Sequence, residues 1–261
     1  MKNFLQCIVN LKKRKVEMLK AKTPITHFVC SKRLLKGIRS FEDAISSGNR
    51  MNLIAEIKKK SPSRKKIFFR KMDVAGLAKL YAGSGAKAIS VLTDKEFFGG
   101  NILHIAEVRR SVNLPVLRKD FIIDEYQVYE SRYFGADAIL LIARILGRDQ
   151  IKSFMHLAKK IGMDSVVEVH DEKDLEKGLT AGAKIIGINN RDLDTFTVDI
   201  NNTFRLVPKM PDQIIKISES GIRSKDVIAR LKHVGVNAVL IGEAFLEAEN
   251  ISAKIQEIMG G

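Results

Sequence analysis

Eight short apolar runs recur along the chain, and a segment of helical character follows each of them. Such alternation of strand-length and helix-length segments is typical of a parallel sheet whose strands are connected by helices. Eight repeats are the number that closes such a sheet into a barrel. The chain is therefore predicted to be an α/β protein, a single (β/α)8 TIM barrel. The predicted strands are residues 53–58, 88–92, 115–119, 138–142, 165–169, 185–189, 214–217 and 238–241.

Four of these runs are preceded by a glycine and a small apolar residue. A glycine just after a helix supplies the left-handed backbone that ends it, so these pairs predict tight helix-to-strand loops. An open, doubly wound sheet is the alternative, but the G-x-G-x-x-G and G-x-x-x-x-G-K-[ST] patterns are absent. The pairs are Gly85-Ala86, Gly135-Ala136, Gly182-Ala183 and Gly235-Val236.

Helical segments are also predicted before the first strand and after the last. An amphipathic helix over residues 3–21 and a partly helical segment over 32–47 precede the barrel. The single domain, 1–261, thus consists of a helical extension at 1–49 and a barrel at 50–261. Asp73 and Asp171 are predicted to cap helices, residues 200–208 have a looser pattern, and 243–258 form the predicted last helix.

The composition excludes several classes of protein. No apolar run reaches the ~18 residues that cross a bilayer, and residues 4–9 are too short for a signal-peptide core. The two cysteines, Cys7 and Cys30, provide no disulfide framework and suit a reducing compartment. The five histidines lack metal-ligand spacing. We therefore expect a cytoplasmic protein with no membrane partner and no metal.

The formal net charge of +15 is compatible with several kinds of binding partner. Nucleic acid, an anionic membrane face and an anionic small molecule are all compatible with it. The lysines are spread over nearly every predicted helix, without a stripe of interleaved aromatic residues. Solvated helix faces therefore explain the charge better than a nucleic-acid surface, and no nucleic-acid partner is predicted.

The first predicted strand carries two charges on one face. Glu56 and Lys58 are two positions apart, so their side chains project from the same side. Burying either one alone would cost several kcal/mol, so they must pair or face a wet cavity. A structural ion pair is one interpretation. However, Ser61-Pro62-Ser63 follows with hydroxyls and amides suited to an anion, which favours the wall of an active site.

Polar side chains stand at the ends of five other predicted strands. The active site of a (β/α)8 barrel lies at the C-terminal ends of its strands, so these side chains should converge. Neighbouring carboxylates and ammonium groups tune one another's pKa, which is the usual basis of a general acid and base. The glycine-bearing turns at 220–223 and 241–244 are typical of the phosphate site of this fold. The strand-end residues are Lys119, Glu168, Asn189, Glu219, Ser220, Gly242 and Glu243.

Long motifs in a fixed order resemble those of one known family. The first half contains E-I-K-x-x-S-P-S at 56–63, S-V-L-T-D at 90–94, F-F-G-G at 97–100 and V-L-R-K-D-F-I-I-D at 116–124. The second half contains G-A-D-A-I-L-L-I at 135–142, G-I-N-N-R-D-L at 187–193, S-E-S-G-I at 218–222 and L-I-G-E-A at 240–244. From about residue 5 onward, the chain resembles the indole-3-glycerol-phosphate synthases, (β/α)8 carboxy-lyases of tryptophan biosynthesis.

This resemblance implies a reaction and an architecture. The substrate would be 1-(2-carboxyphenylamino)-1-deoxyribulose 5-phosphate, and the products indole-3-glycerol phosphate, CO2 and water. The extra N-terminal helices would lie over the C-terminal face of the barrel. No cofactor is implied, and a monomer is the working hypothesis for the oligomeric state.

The resemblance also assigns roles to residues. Lys119 matches the general acid at the ketone oxygen, and Glu168 the base of the last step. Lys58 matches the residue that meets the substrate carboxylate and can supply a second acid, with Glu56 holding the lysines. The remaining matches are Asn189 and Arg191 at hydroxyl and carboxylate groups, Ser61, Ser63, Gly221, Gly242 and Glu243 at the phosphate, Glu219 and Ser220 at the rim, and Phe97, Phe121, Leu140 and Leu240 at apolar walls.

Two departures from the family pattern concern charge. After Ser63 the family usually has a glycine two residues on, whereas this chain has Arg64-Lys65-Lys66. Arg144 stands where the family often has a small residue, and it is expected to add charge near the mouth. Two other functions remain as alternatives: another phosphate-binding barrel enzyme, either an isomerase or a Schiff-base aldolase using Lys119, and a basic nucleic-acid or scaffold protein.

Overall fold

A closed barrel of eight parallel strands forms the centre of the protein. The computed structural model describes residues 4–31, 34, 37–61, 66–67 and 73–260. Neighbours in sequence are neighbours in the barrel, and β8 pairs with β1 to close it. The predicted TIM barrel is thereby confirmed. The strands are β1 (Asn52–Ile57), β2 (Ala88–Leu92), β3 (Val116–Lys119), β4 (Ala138–Ile142), β5 (Asp164–Val169), β6 (Ile185–Asn189), β7 (Ile215–Glu219) and β8 (Ala238–Ile241).

Helices surround the barrel and precede it. The two predicted helix caps are present. The Asp73 carboxylate accepts a hydrogen bond from the backbone amide of Gly76, and the Asp171 carboxylate accepts one from the backbone amide of Asp174. The helices are α1 (Phe4–Lys22), α2 (Thr26–Val29), α3 (Phe41–Ser46), α4 (Val74–Gly83), α5 (Lys95–Phe98), α6 (Leu103–Ser111), α7 (Glu125–Tyr133), α8 (Arg148–Lys160), α9 (Glu172–Ala181), α10 (Asn201–Leu206), α11 (Lys225–His233), α12 (Glu243–Leu246) and α13 (Ile251–Met259), with a 3-10 turn at Val207–Lys209.

The four predicted helix-to-strand glycines adopt a left-handed backbone. Gly85, Gly135, Gly182 and Gly235 have φ between 88° and 96° and precede β2, β4, β6 and β8. A residue with a Cβ would be strained there. The repeated glycine is therefore required by the geometry of the loops that bring each helix back to the next strand.

Strand periodicity determines which side chains enter the mouth. Apolar residues of the strands divide into two clusters, one inside the barrel and one between the strands and the surrounding helices. Ile54, Leu117, Val166 and Ile217 belong to the inner cluster. Because side chains alternate in a strand, the residue two positions further on also points inward. That position is occupied by Glu56, Lys119, Glu168 and Glu219, respectively.

The N-terminal helices cover both ends of the barrel. Leu5 and Ile8 of α1 pack on the inner cluster at the C-terminal face, as the resemblance implied. By contrast, α3 lies at the opposite end, because the backbone amides of Phe41 and Glu42 donate to Asp164, the first residue of β5, at 3.0 and 2.9 Å. The prediction that these helices lie over the C-terminal face therefore holds for α1 and not for α3.

Several local predictions need correction. The predicted last helix, 243–258, is interrupted, because Asn250 caps a new helix by accepting from the Ala253 amide. Helix α5 and a short hairpin that pairs Lys60–Ser61 with Lys66–Ile67 were not predicted. Of the segment predicted as partly helical at 32–47, residues 32, 33, 35 and 36 lie outside the described part, and α3 is the regular helix in the rest. Among the described residues, none of the helices combines the length and the hydrophobicity that a membrane span requires.

Candidate active site

A cavity of about 360 Å³ opens at the C-terminal ends of the strands. Fifteen predicted site residues line it: Glu56, Lys58, Ser61, Lys119, Phe121, Leu140, Glu168, Asn189, Arg191, Glu219, Ser220, Gly221, Leu240, Gly242 and Glu243. Ser63 lies outside the described residues. Phe97 packs against the inner apolar cluster, but its neighbour Phe98 lines the cavity instead. The ring of Phe98 lies 6.3 Å from that of Phe121.

Lys119 is the central cation of the mouth. Its Nζ lies 3.1 Å from Glu168 Oε2 and also contacts Glu219 Oε2. Burial lowers the pKa of this amine, but Glu219, Glu168 and Glu56 raise it, and the net effect is a pKa above the ordinary lysine value. Lys119 is therefore a protonated ammonium that can donate to a substrate oxygen.

Glu56 and Lys58 form a second ion pair at the end of β1. Glu56 Oε1 lies 2.8 Å from Lys58 Nζ. Burial raises the pKa of Glu56, whereas Lys58 and then Lys119 lower it, and the result is a pKa below the ordinary value. A Cβ at position 242 would lie 2.7 Å from Glu56 Oε1, so Gly242 leaves the room that this carboxylate needs.

The two carboxylates on Lys119 have different affinities for protons. Burial raises the pKa of Glu168, but Lys119 and His170 bring it below the ordinary value. For Glu219, burial and the neighbouring carboxylates outweigh Lys119 and raise the pKa to about 7. Gly187 faces Glu219, and a Cβ there would lie 2.5 Å from Glu219 Oε1. Such divergent carboxylates are typical of sites that separate the roles of acid and base.

The rim on the side of β6, β7 and β8 is a connected polar network. The Ser220 hydroxyl donates to Asn189 Oδ1 at 3.0 Å, and the Arg191 amide donates to the same oxygen at 3.0 Å. Ser220 has a φ of 69°, which is unusual for a residue with a Cβ and holds its side chain at the mouth. The Arg191 guanidinium donates to Glu243 at 3.2 Å.

Some cavity residues were not predicted from the sequence. Leu5 and Ile8 reach the mouth from α1, and only their apolar spacing in a helix could have indicated this. Phe196 also lines the cavity, and its φ of 60° could not be predicted from any sequence pattern. Arg223 was part of a turn predicted for its glycine, and it donates to Glu243 at 3.3 Å.

Arg144 follows the C-terminal end of β4, and carboxylates surround its guanidinium. It is not among the residues that line the mouth cavity. Its guanidinium contacts Asp171 at 2.8 Å, Asp174 at 3.4 Å and Asp192 at 3.5 Å. The extra positive charge is therefore balanced by carboxylates beside the mouth.

The raised pKa of Glu219 can be tested by measuring how the free energy of unfolding depends on pH. In the folded state Glu219 keeps its proton up to about pH 7, whereas in the unfolded state it loses the proton near pH 4.5. The stabilisation that the protonated Glu219 contributes is therefore complete below about pH 4.5, and it is lost as the pH rises through about 7. Glu219→Gln has no such proton, so its unfolding free energy relative to wild type should rise by on the order of 1–3 kcal/mol between pH 5 and 8. Urea unfolding of both proteins measures this. An equal difference at the two pH values would contradict it.

Comparison with known proteins finds relatives across nearly the whole chain. The sequence model of the family described as indole-3-glycerol phosphate synthase matches residues 5–258. The indole-3-glycerol phosphate synthase of Caldanaerobacter subterraneus subsp. tengcongensis is 45% identical over 260 residues, covering 99% of this chain and 100% of that protein. That of Acetivibrio thermocellus is 49% identical over 217 residues, covering 83% of each.

Solved structures with little sequence identity share the barrel. A 3-hexulose-6-phosphate synthase from Salmonella typhimurium superposes with a TM-score of 0.65 at 15% identity, covering 80% of this chain and 97% of that one. A thiamine phosphate pyrophosphorylase from Pyrococcus furiosus has a TM-score of 0.59 at 17% identity, covering 80% and 94%. At these identities the likeness concerns the fold alone.

Proposed function

Because the chain belongs to the indole-3-glycerol phosphate synthase family, it is a carboxy-lyase of tryptophan biosynthesis, and we propose that the mouth of its barrel is the site of that reaction. The substrate is a phosphorylated small molecule, and we propose 1-(2-carboxyphenylamino)-1-deoxyribulose 5-phosphate. Ring closure, loss of CO2 and loss of water convert it to indole-3-glycerol phosphate. Family membership favours this reaction over the isomerase and the Schiff-base aldolase.

The ammonium of Lys119 supplies the acid for ring closure. The aromatic carbon that bears the carboxylate attacks the ketone carbon, and the ketone oxygen takes the proton from Lys119 Nζ. The C–CO2 bond then breaks, and its electron pair restores the aromatic ring. The observation that carries this assignment is the contact of Lys119 with both Glu168 and Glu219, which keeps the amine protonated inside a buried site.

Dehydration needs an acid and a base at once. The hydroxyl leaves as water after taking a proton from Lys58, which Glu56 holds in place at 2.8 Å. Glu168, whose pKa is below the ordinary value, accepts the proton from the neighbouring carbon. The C–H electron pair becomes the double bond of the indole ring. The two lysines thus donate at different stages, Lys119 in ring closure and Lys58 in dehydration, and Glu168 is the base of the second stage.

The two ends of the substrate need different partners. Ser61, Ser220, Gly221 and Gly242 line the mouth cavity, and their hydroxyls and backbone amides suit the phosphate. The apolar residues suit the anthranilate ring, and Asn189 and Arg191 suit its carboxylate and the sugar hydroxyls. These apolar residues are Leu5, Ile8, Phe98, Phe121, Leu140 and Leu240.

Inorganic phosphate is expected to inhibit competitively and to raise the melting temperature. A ligand that binds only the folded state contributes about 2.7 kcal/mol at ~100 times its Kd, which corresponds to about 5–10 °C for a chain of this length. Thermal unfolding in a phosphate titration measures the shift, with chloride at equal ionic strength as the control. Equal melting temperatures in both salts at saturating phosphate would count against the phosphate site.

The direct test of the function is a single assay. The anilino-ribulose phosphate is supplied, and formation of indole is followed by its fluorescence. Borohydride trapping with a carbonyl substrate would detect a Schiff base on Lys119 and so support an aldolase instead. We also propose a cytoplasmic, monomeric enzyme that needs neither a metal nor an organic cofactor, and no nucleic-acid partner.

A further inference from the structure

Lys12 of α1 is buried between two carboxylates of the barrel. Its Nζ lies 2.8 Å from Asp94 Oδ2 and 2.6 Å from Asp120 Oδ1, and only 5% of its side chain is exposed. Burial lowers the pKa of Lys12, but Asp120 and Asp94 raise it above the ordinary value, so the amine is an ammonium. Holding α1 on the barrel would not require this charge, because well-packed apolar residues often stabilise a fold as well as a buried ion pair does.

Asp94 connects Lys12 to helix α5. While Oδ2 faces Lys12, Oδ1 of the same carboxylate accepts a hydrogen bond from the backbone amide of Phe97 at 2.7 Å and thereby caps the helix. The next residue of this helix is Phe98, whose side chain lines the mouth cavity. The ion pair with Lys12 therefore fixes the orientation of the carboxylate on which the first turn of α5 depends.

Asp120 connects Lys12 to the aromatic ring of Phe121. Asp120 Oδ1 accepts from Lys12 and from the backbone amide of Phe121, the latter at 2.8 Å. Asp120 Oδ2 accepts from the Thr93 hydroxyl at 2.6 Å and from the Arg118 guanidinium at 3.1 Å, so both oxygens are held. The Lys12 ammonium also lies 5.9 Å from the centre of the Phe121 ring, a distance at which a cation attracts an aromatic face.

The face of α1 that carries Lys12 also reaches the mouth. Leu5 and Ile8 precede Lys12 by about two turns and one turn of the helix, so the three side chains lie on one face. Leu5 and Ile8 line the mouth cavity, whereas Lys12 does not. Lys12 is thus joined to three elements that contribute one wall of the mouth without lining the mouth itself. This wall, which we call the apolar wall, consists of Leu5, Ile8, Phe98 and Phe121.

We propose that Lys12 is a positioning residue that sets the apolar wall at the spacing that holds the anthranilate ring of the substrate. It acts through Asp94 on α5, through Asp120 on the end of β3, and through its own helix. Without the ammonium, two buried carboxylates lose their shared partner, and the three elements no longer have a common point of attachment. The proposal rests on the assignment of the apolar residues to the anthranilate ring made above.

The test is Lys12→Met, which keeps the length of the side chain and removes its charge. KM for the anilino-ribulose phosphate should rise by about tenfold, because part of the apolar contact with the ring is lost. We expect kcat to change by less than about threefold, since binding is weakened and the transition state of the bound substrate is not. Competitive inhibition by inorganic phosphate should be unchanged, because the apolar wall does not contribute to the phosphate end. Lys12→Arg keeps the positive charge and should retain a KM close to that of the wild type.

Lys20→Met is the matched control on the same helix. Lys20 also joins α1 to the barrel, with its Nζ 2.8 Å from Asp124 Oδ2, but neither residue lines the mouth cavity. Its KM should therefore equal that of the wild type. An equal rise in KM for Lys12→Met and Lys20→Met would show that only the docking of α1 matters, and it would overturn the proposal.

Asp94→Asn is measured as well, in case Lys12→Met does not fold. Asparagine still caps α5 but loses the charge that faces Lys12, so KM should rise while phosphate inhibition stays the same. An unchanged KM in the folded Lys12→Met protein, or in Asp94→Asn if the former unfolds, would contradict the proposal. A parallel weakening of phosphate inhibition would also contradict it, because the whole mouth would then be disturbed.

Binding of 2-aminobenzoate separates this proposal from the proposed function. This compound carries the ring and carboxylate of the substrate, and its binding requires no turnover. If the wild-type protein forms no indole, the proposed function fails, and the titration still measures whether Lys12→Met weakens binding of the ring. If the wild type forms indole but 2-aminobenzoate binds equally to the wild type and Lys12→Met, the role of Lys12 alone fails.

Discussion

Lys119→Met is expected to lower kcat by about 10² or more, the usual scale for a positioned general acid. The methionine fills a similar volume but has no proton to give to the ketone oxygen, so ring closure fails. Binding of the product should persist, because Ser61, Gly221 and Gly242 remain in place at the proposed phosphate end. Steady-state kinetics and a product-binding titration measure the two effects separately.

The companion variant Glu168→Gln should fail at a later step. The amide accepts no proton from carbon, yet Lys119 remains to close the ring, so decarboxylation proceeds and dehydration slows. In a single turnover, release of CO2 should therefore run ahead of indole formation.

Near-normal turnover by Lys119→Met would show that the acid is elsewhere, and Lys58 would be the first candidate. CO2 and indole appearing together in Glu168→Gln would remove the base from this position.

Much of the site could be predicted because a strand has a period of two. Once Leu117 or Val166 is placed inside a barrel, the residue two positions further on must point into the mouth. The positions of Lys119 and Glu168 in the mouth can therefore be predicted from the sequence alone. The same logic applies to Ile54 and Glu56. Local signals were equally informative for the glycines that end helices, since their backbone geometry depends on adjacent residues alone.

What could not be predicted depends on contacts between distant parts of the chain. Lys12 lies in the predicted first helix, and the lysines of the predicted helices were assigned to solvated faces, yet it is buried between Asp94 at 2.8 Å and Asp120 at 2.6 Å. These two pairs fasten α1 to the barrel, and no periodicity indicates them. For the same reason, the position of Phe98 in the cavity could not be predicted, since it depends on the unpredicted helix α5. Nor could the raised pKa of Glu219, since it depends on burial and on the number of carboxylates around one lysine.

Asp137 is a second residue whose importance only the structure reveals. In the sequence it is one letter of the motif at 135–142, but it is fully buried just before β4, where it accepts hydrogen bonds from several chain segments. Its carboxylate accepts from the backbone amides of Arg39 at 3.1 Å and Val116 at 3.0 Å. It also accepts from the guanidinium of Arg109 at 2.8 Å and that of Arg132 at 3.4 Å.

Asp137→Ala is therefore expected to lower the free energy of unfolding by about 3–5 kcal/mol, the cost of leaving a buried charge without its partner. Arg132, of which 1% of the side chain is exposed, would lose its carboxylate partner, and the Val116 amide would lose an acceptor. Urea unfolding measures the effect. Glu257→Ala is the matched control, because Glu257 pairs with Lys254 at 2.6 Å but is 61% exposed, and exposed pairs contribute about 0–1 kcal/mol. Similar losses in the two variants would contradict the prediction, since burial and not distance should determine the larger cost.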